Sequence, residues 1–180
     1  MHVELLHSKY LHLRWLNVQD VNDNYLEWMQ DEDVNRYMET RWDYWTLDSI
    51  HEYVRKHQYK NEEPFFAICL NKVDKHIGNL KIGPINFHHR HADVSLFIGC
   101  KTLWGLGYGT EAIGLAVQFG FRVANLNKLR AGVYAENKSS LNAFLKNGFE
   151  IEGVLKNHVA LNGNYTDLLT LGLLCTGSRV

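Results

Sequence analysis

Residues 92–121 read ADVSLFIGCKTLWGLGYGTEAIGLAVQFGF. The run from Val94 to Ile98 is rich in β-branched and aromatic residues and predicts a strand. Gly105-Leu106-Gly107-Tyr108-Gly109 follows as a glycine-punctuated turn. An amphipathic helix then begins, because apolar pairs recur every four residues at Ala112/Ile113, Ala116/Val117 and Gly120/Phe121. Glycines let backbone N–H groups turn toward one point without obstruction by Cβ. The first helical turn adds unpaired N–H groups and the positive end of the helix dipole. Together these suit a phosphate or pyrophosphate. The competing reading is a tight turn that only starts a helix. Neither familiar nucleotide fingerprint fits: there is no GxxxxGK[ST], and alternating glycines at 105, 107 and 109 are not GxGxxG.

Outward from this stretch, 180 residues predict one domain, 1–180, able to bury a substantial core. With 46% hydrophobic and 22% charged residues the composition is that of an ordinary globular chain. A formal net charge of −1 gives no basic excess for nucleic acid or a membrane surface. The odd set Cys69, Cys100 and Cys175 lacks metal-ligand spacing and fits reduced thiols better than a disulfide frame. No metal is expected. Charge and histidine run through the first fifteen residues, so no secretory leader is expected. No apolar run approaches a membrane span. The expected setting is cytoplasmic.

Tyr10–Leu16 alternates as a first strand. Residues 20–30 form a helix with Asp20 as its N-cap. Residues 34–38 make a short helical turn, and ETRWDYW (39–45) makes a charged aromatic loop. Thr46 caps a helix to about His57, with Ile50, Tyr53 and Val54 inward. Phe65–Leu70 is a buried strand, and residues 76–87 return as another, bent by Gly78, Gly83 and Pro84. His88-His89-Arg90-His91 turns into the strand already described, completing an antiparallel meander. Residues 128–135 form a strand. Asn137 then caps a helix to Asn147 with Leu141, Phe144 and Leu145 inward, and Gly148 stops it. Two last strands, 149–161 and 165–174, are joined by Asn162-Gly163-Asn164, a strong hairpin signal. The sum is one mixed α/β (α+β) sheet.

Three segments carry a resemblance. Trp104-Gly-Leu-Gly-Tyr-Gly109-Thr-Glu-Ala resembles the acetyl-CoA loop of the GCN5-related N-acetyltransferases (GNAT). More narrowly it resembles the RimJ/RimL-type branch, whose loop often reads WGKGYATEA. The family pattern Gln/Arg-x-x-Gly-x-Gly/Ala falls on Trp104, Gly107 and Gly109, with Leu106 in place of a frequent Lys. Ala135-Glu136-Asn137, Phe144 and Asn147-Gly148-Phe149 resemble the family's AEN…Y…GF segment. Asn162-Gly-Asn-Tyr-Thr-Asp167 resembles the closing hairpin of the branch. The matches occur in family order and cover residues 8 to 175. The resemblance implies a mostly antiparallel seven-stranded sheet, splayed beside its central strand and flanked by about four helices. It also implies acetyl-CoA as the acyl donor. The pantetheine arm would lie along Leu96, Phe97 and Ile98. The pyrophosphate would lie over the amides of Leu106, Gly107, Tyr108, Gly109 and Thr110, covered by Leu103 and Trp104. Asn137, Ser139, Ser140 and Phe144 would complete the donor site.

Acetyl transfer to an amine requires a neutral amine, and alkyl ammonium groups have pKa near 10.4. A base within hydrogen-bond reach, directly or through water, removes that proton. Asp93 stands where the branch usually has Glu; the alternative is a turn-flanking carboxylate paired with Arg90. His88 is a second candidate for proton transfer, since imidazole titrates near neutrality. His89 and Arg90 are candidates for acceptor contact, as is a merely solvated turn. Three histidines in four residues invite a metal, but consecutive positions on a tight turn rarely converge on one ion. The resemblance places Arg41, Trp42 and Tyr44 on the acceptor wall, against the plainer reading of a loop packing on the core. Phe144 replaces the tyrosine that commonly protonates the leaving thiolate. Tyr134, Tyr165 or water are then the candidate donors, and Tyr165 also counts toward the acceptor site.

The function expected is an acetyl-CoA-dependent N-acetyltransferase acting by direct attack on a small-molecule primary amine. The segment 83–91, GPINFHHRH, also resembles aminosugar-nucleotide N-acetyltransferases of surface-glycan, pseudaminic acid type, pathways. That favours a sugar nucleotide as acceptor, with a protein N-terminus or a polyamine as alternatives. A homodimer is one assembly left open. From a different class, a non-catalytic acyl-CoA-binding module remains, favoured by Phe144 and by the short side chain of Asp93.

Overall fold

Three consecutive antiparallel strands form the middle of the molecule: β3 (Phe65–Leu70), β4 (Lys75–Ile82) and β5 (His91–Ile98). The computed structural model describes residues 6–176. In it the meander extends outward through β2 (Leu11–Trp15) and β1 (Leu6–His7). On the other side come β6 (Lys128–Tyr134), β8 (Asn164–Leu174) and β7 (Glu150–Leu161). The sheet order is β1-β2-β3-β4-β5-β6-β8-β7, eight strands. The expectation of seven is corrected by β1, whose two residues carry no alternation to read.

Among the described residues five α-helices cover the sheet, where about four were expected. They are α1 (Asp23–Gln30), α2 (Glu32–Asn35), α3 (Leu47–His57), α4 (Tyr108–Gln118) and α5 (Lys138–Lys146). The additional one, α2, is a single turn started by Asp31, whose carboxylate accepts from the N–H groups of Asp33 and Val34. Helices α1 and α3 bury Tyr25, Met29, Ile50 and Val54 against Phe65, Ala67 and Cys69 on one face. Helix α4 buries Ala112, Ile113, Leu115 and Ala116 against Leu80, Ala92 and Val94 on the other. The alternation of β5 explains the division: Ala92 and Val94 face α4, while Phe97 joins the cluster under α1 and α3.

Three local expectations are corrected. Asp20 is not an N-cap. It ends a 3-10 turn, is buried, and accepts from Arg14 at 2.6 and 2.8 Å, while Asn22 caps α1 by accepting from Tyr25 N–H. Strand β4 stops at Ile82, because Pro84 has no N–H to give a ladder. On α5, Phe144 faces the core but Leu145 is 41% exposed, one position off the apolar stripe.

All strand pairs are antiparallel except β5 with β6, which the α4 crossover makes parallel. That pair holds only at His91↔Lys128, Ala92↔Leu129 and Asp93↔Arg130. Beyond Asp93 and Arg130 the two strands separate. Val94–Ile98 of β5 still pair with β4, and residues 131–134 of β6 still pair with β8. The inner edges of both strands therefore open as a V.

A candidate active site at the splayed strands

The open side of the V leads to the start of α4. Gly105 has φ 76° and Gly107 has φ 90°, a left-handed geometry that favours glycine. Gly107 is the N-cap of α4 and offers no side chain to cap it. The first α-helical bond from this end runs from Glu111 N–H to the Gly107 carbonyl. Among the described residues, no acceptor meets the N–H groups of Leu106, Gly107, Tyr108, Gly109 and Thr110. No atom lies within 4 Å of where a Cβ at 105, 107 or 109 would stand. Open space above a fan of unmet donors at a helix N-terminus fits a pyrophosphate. Leu103 packs on the core below, and Leu106 is exposed. Trp104 folds back toward β5, its Nε1 donating to the Ile98 carbonyl at 2.7 Å. Of the strand residues expected to line the pantetheine arm, Leu96 and Ile98 pack toward α4, and Phe97 lies against Tyr25 and Trp28.

Helix α5 approaches the same opening. Asn137 Oδ1 accepts from Ser140 N–H at 3.2 Å and from the Ser139 hydroxyl at 3.1 Å, so Asn137 is an N-cap. Its Nδ2 donates to nothing among the described residues, which leaves that end free for a ligand carbonyl. Phe144 does not line the opening. It is 2% exposed and meets Phe149 edge-on in the core, with ring centroids 5.0 Å apart. Asn147, at the far end of α5, donates Nδ2 to the Thr110 carbonyl at 2.9 Å and so ties α5 to the first turn of α4.

At the vertex of the V, Arg130 Nε and Nη2 donate to the two carboxylate oxygens of Asp93 at 2.8 and 3.2 Å. The partner of Asp93 is thus Arg130 and not Arg90. Arg90 instead donates to the carbonyl and the side-chain oxygen of Asn125, on the loop after α4. His88, His89 and Arg90 lie in an exposed turn before β5. The His89 ring stacks on His91, centroids 6.2 Å apart. His91 is held below the usual imidazole range, first by burial and then by the charge of Arg130. Among the described residues, His88 makes no side-chain hydrogen bond, and nothing ties it to Asp93.

Further along β6, on the face of Arg130, come Gly132 and then Tyr134. The Tyr134 hydroxyl donates to Glu39 at 2.7 Å and accepts from Arg41 Nη1 at 2.9 Å. Burial, then the Glu39 hydrogen bond, raises its pKa above the ordinary phenol value and keeps its proton in place. Arg41 also donates to the Met38 and Ala160 carbonyls and lies 4.4 Å over the Trp42 ring. Beyond Arg41 a cavity of about 570 Å³ opens between α1, α2 and the 161–163 turn. Arg36, Arg41, Trp42, Tyr44, Glu32 and Asp43 line it. Trp42 and Tyr44 are 70% and 88% exposed. Tyr165 is also exposed, in register with Ala160. Sequence reasoning missed Arg130, Glu39 and Asn147. The period-2 parity of β6, which puts positions 130, 132 and 134 on one face, was the available signal.

Comparison with known proteins agrees with this geometry. The family described as "Acetyltransferase (GNAT) domain" matches residues 10–150. The "probable N-acetyltransferase YjcK" of Bacillus subtilis (strain 168) is 29% identical over 94% of this chain and 97% of its own. Spermidine N(1)-acetyltransferase of Escherichia coli (strain K12) is 27% identical over 88% of this chain and 78% of its own. The crystal structure of spermidine N-acetyltransferase from Vibrio cholerae, in complex with CoA and spermine, superposes with a TM-score of 0.80. It is 26% identical, over 91% of this chain and 95% of that one. The chain belongs to the GNAT acetyltransferase family and is an acetyl-CoA-dependent N-acetyltransferase.

Proposed function

We propose that the acceptor is a primary amine on a small molecule and that Asp93, Arg130 and Tyr134 handle its protons. The observation that carries this reading is the placement of Asp93 on β5. The same strand leads to the α4 amides, and Asp93 stands where β6 departs. The N–H groups from Leu106 to Thr110 hold the diphosphate, and Asn137 Nδ2 holds an amide carbonyl of the arm. Bound there, acetyl-CoA supplies a thioester carbonyl open to attack by an amine, and a thiol of pKa about 8.5 as leaving group. A carboxylate oxygen has more than one acceptor direction. Arg130 therefore orients Asp93 while leaving lone pairs for an ammonium proton, taken directly or through a water. For the proton given to the leaving thiolate we propose Tyr134, whose hydroxyl is held protonated by Glu39 and Arg41, in the role its family gives to the residue that is Phe144 here.

For the acceptor we favour an aminosugar nucleotide. Arg36 and Arg41 offer donors to its phosphates, and the exposed rings of Trp42 and Tyr44 offer faces for a base or sugar. The loop at 104–112 and the hairpin at 162–167 support a place beside the RimJ/RimL-type branch. We read the whole chain, 1–180, as one catalytic domain. A polyamine is the second reading, favoured by the relatives named for spermidine. Against it, Asp93 is paired with Arg130, and Glu32 and Asp43 share their cavity with Arg36 and Arg41. Thiol release from acetyl-CoA, measured with a nucleotide-linked 4-amino-sugar, spermidine and a peptide with a free N-terminus, separates these readings. Turnover on spermidine alone would overturn the sugar-nucleotide proposal. Donor binding without release for any amine would leave an acyl-CoA-binding module.

A further inference from the structure

A second group of reactive side chains lies on the outer strands, away from β5 and β6. His7 stands opposite His12, and His12 opposite Cys69, in register across β1, β2 and β3. Residues so opposed point to one face, with Cβ atoms about 4.5–5.5 Å apart. The turn between β3 and β4 brings Asp74 onto this row. One donor atom each from His12, Cys69 and Asp74 lie within 4.8 Å of one another.

The hydrogen bonds of His12 require a positive centre, a second imidazole proton or a cation, between Nε2 and Asp74. Asn71 Nδ2 donates to the Ser8 carbonyl at 2.9 Å, a bond its amide oxygen has no proton to make. The atom 3.1 Å from His12 Nδ1 is therefore Asn71 Oδ1, and Nδ1 carries the hydrogen. In a neutral imidazole Nε2 then presents a lone pair. That lone pair faces Asp74 Oδ1 at 3.0 Å. Two acceptors at this separation repel unless a positive centre lies between them. Nitrogen and oxygen ligands at about 2.0–2.2 Å from a tetrahedral zinc stand about 3.3–3.5 Å apart, close to the spacing found. An Nδ1–H held by an amide oxygen, with Nε2 left to coordinate, is the usual tautomer of a metal-bound histidine.

We propose that His12, Cys69 and Asp74 form a binding site for a borderline-soft divalent cation, zinc above all, with His7 or a water as fourth ligand. The mixed N, S and O donor set suits zinc better than magnesium or calcium. The His7 ring centroid lies 5.4 Å from that of His12. Asp74, with its side chain 70% exposed, leaves a way in, while Cys69 is fully buried. Burial pushes the Cys69 thiol up to about 11, so coordination releases its proton. The neighbouring Arg14 is neutralised by its two bonds to Asp20. In the sequence His12 is far from the other two, and strand pairing with Cys69 together with the β3–β4 turn that carries Asp74 brings the three together.

The test is a titration of the chelator-stripped full chain with Zn²⁺ and, for spectroscopy, Co²⁺. The expected result is one tightly held equivalent and a thiolate-to-cobalt charge-transfer band absent from Cys69→Ser. Zinc affinity should also fall at least about tenfold in Asp74→Asn. Asp74 is a surface residue, so its variant decides the matter even if the change at buried Cys69 prevents folding. No saturable binding, or an affinity that Asp74→Asn leaves unchanged, would assign the contact to an imidazolium–carboxylate pair and overturn the proposal.

Discussion

The units β5–α4 and β6–α5 are built to one plan, a strand leading through a short connection into a helix, and they begin their helices in opposite ways. In the second, Asn137 spends its side-chain oxygen on the Ser140 N–H, and the helix caps itself. In the first, Gly107 at φ 90° has nothing to spend, and the amides of the first turn stay open. A capped N-terminus serves stability, whereas an uncapped one beside open space serves a ligand. The strands differ in the same way. Asp93 of β5 is a carboxylate at the vertex, and Tyr134 of β6 is a buried phenol held between Glu39 and Arg41. Under the proposed mechanism one unit holds the donor and takes a proton, and the other gives one.

Four substitutions test this contrast, in falling order of effect. Asp93→Asn should lower kcat at neutral pH by about 100-fold or more, as expected for a lost general base. A rate equal to that of the unmodified enzyme at every pH would remove Asp93 from the chemistry. Gly107→Asp places a carboxylate among the α4 amides, in a left-handed conformation that Asp tolerates. The Michaelis constant for acetyl-CoA should rise about 30–100-fold, roughly 2–3 kcal/mol, with the melting temperature little changed. An unaltered constant would mean the loop is only a turn. Tyr134→Phe leaves Glu39 and Arg41 without their shared partner and should reduce kcat roughly tenfold at constant donor affinity. Equal loss in kcat and in donor affinity would mark a structural role. Asn137→Ala should cost about 1 kcal/mol, a melting shift of about 2–4 °C, and lower donor affinity about fivefold through the lost Nδ2 hydrogen bond. An unchanged donor affinity would leave Asn137 as an N-cap alone.

The sequence was most legible where local chemistry decides structure. The glycine loop, the Thr46 and Asn137 caps and the Asn162-Gly163 hairpin depend on neighbours in the chain, and both turn residues indeed take positive φ. Asp20 misled because a buried ion pair with Arg14 outbids a cap, and no periodicity announces an ion pair. The site was legible on its donor side and obscure on its acceptor side for a related reason. Residues 106–110 act together because they are consecutive. Asp93 meets Arg130 only because β5 and β6 run parallel in one register, and Glu39 meets Tyr134 only across folded layers. The outer strands show the same limit: His12 meets Cys69 and Asp74 only through cross-strand pairing of β2 with β3.

The side chain of Asn147 offers nothing to the proposed diphosphate site itself, yet it holds the carbonyl of Thr110, a residue whose N–H belongs to that site. Under the proposed donor site, the diphosphate cradle is braced from behind, by the tail of the neighbouring helix. An injury at Asn147 will therefore mimic one in the glycine loop, degrading donor capture while every atom that contacts the donor is intact.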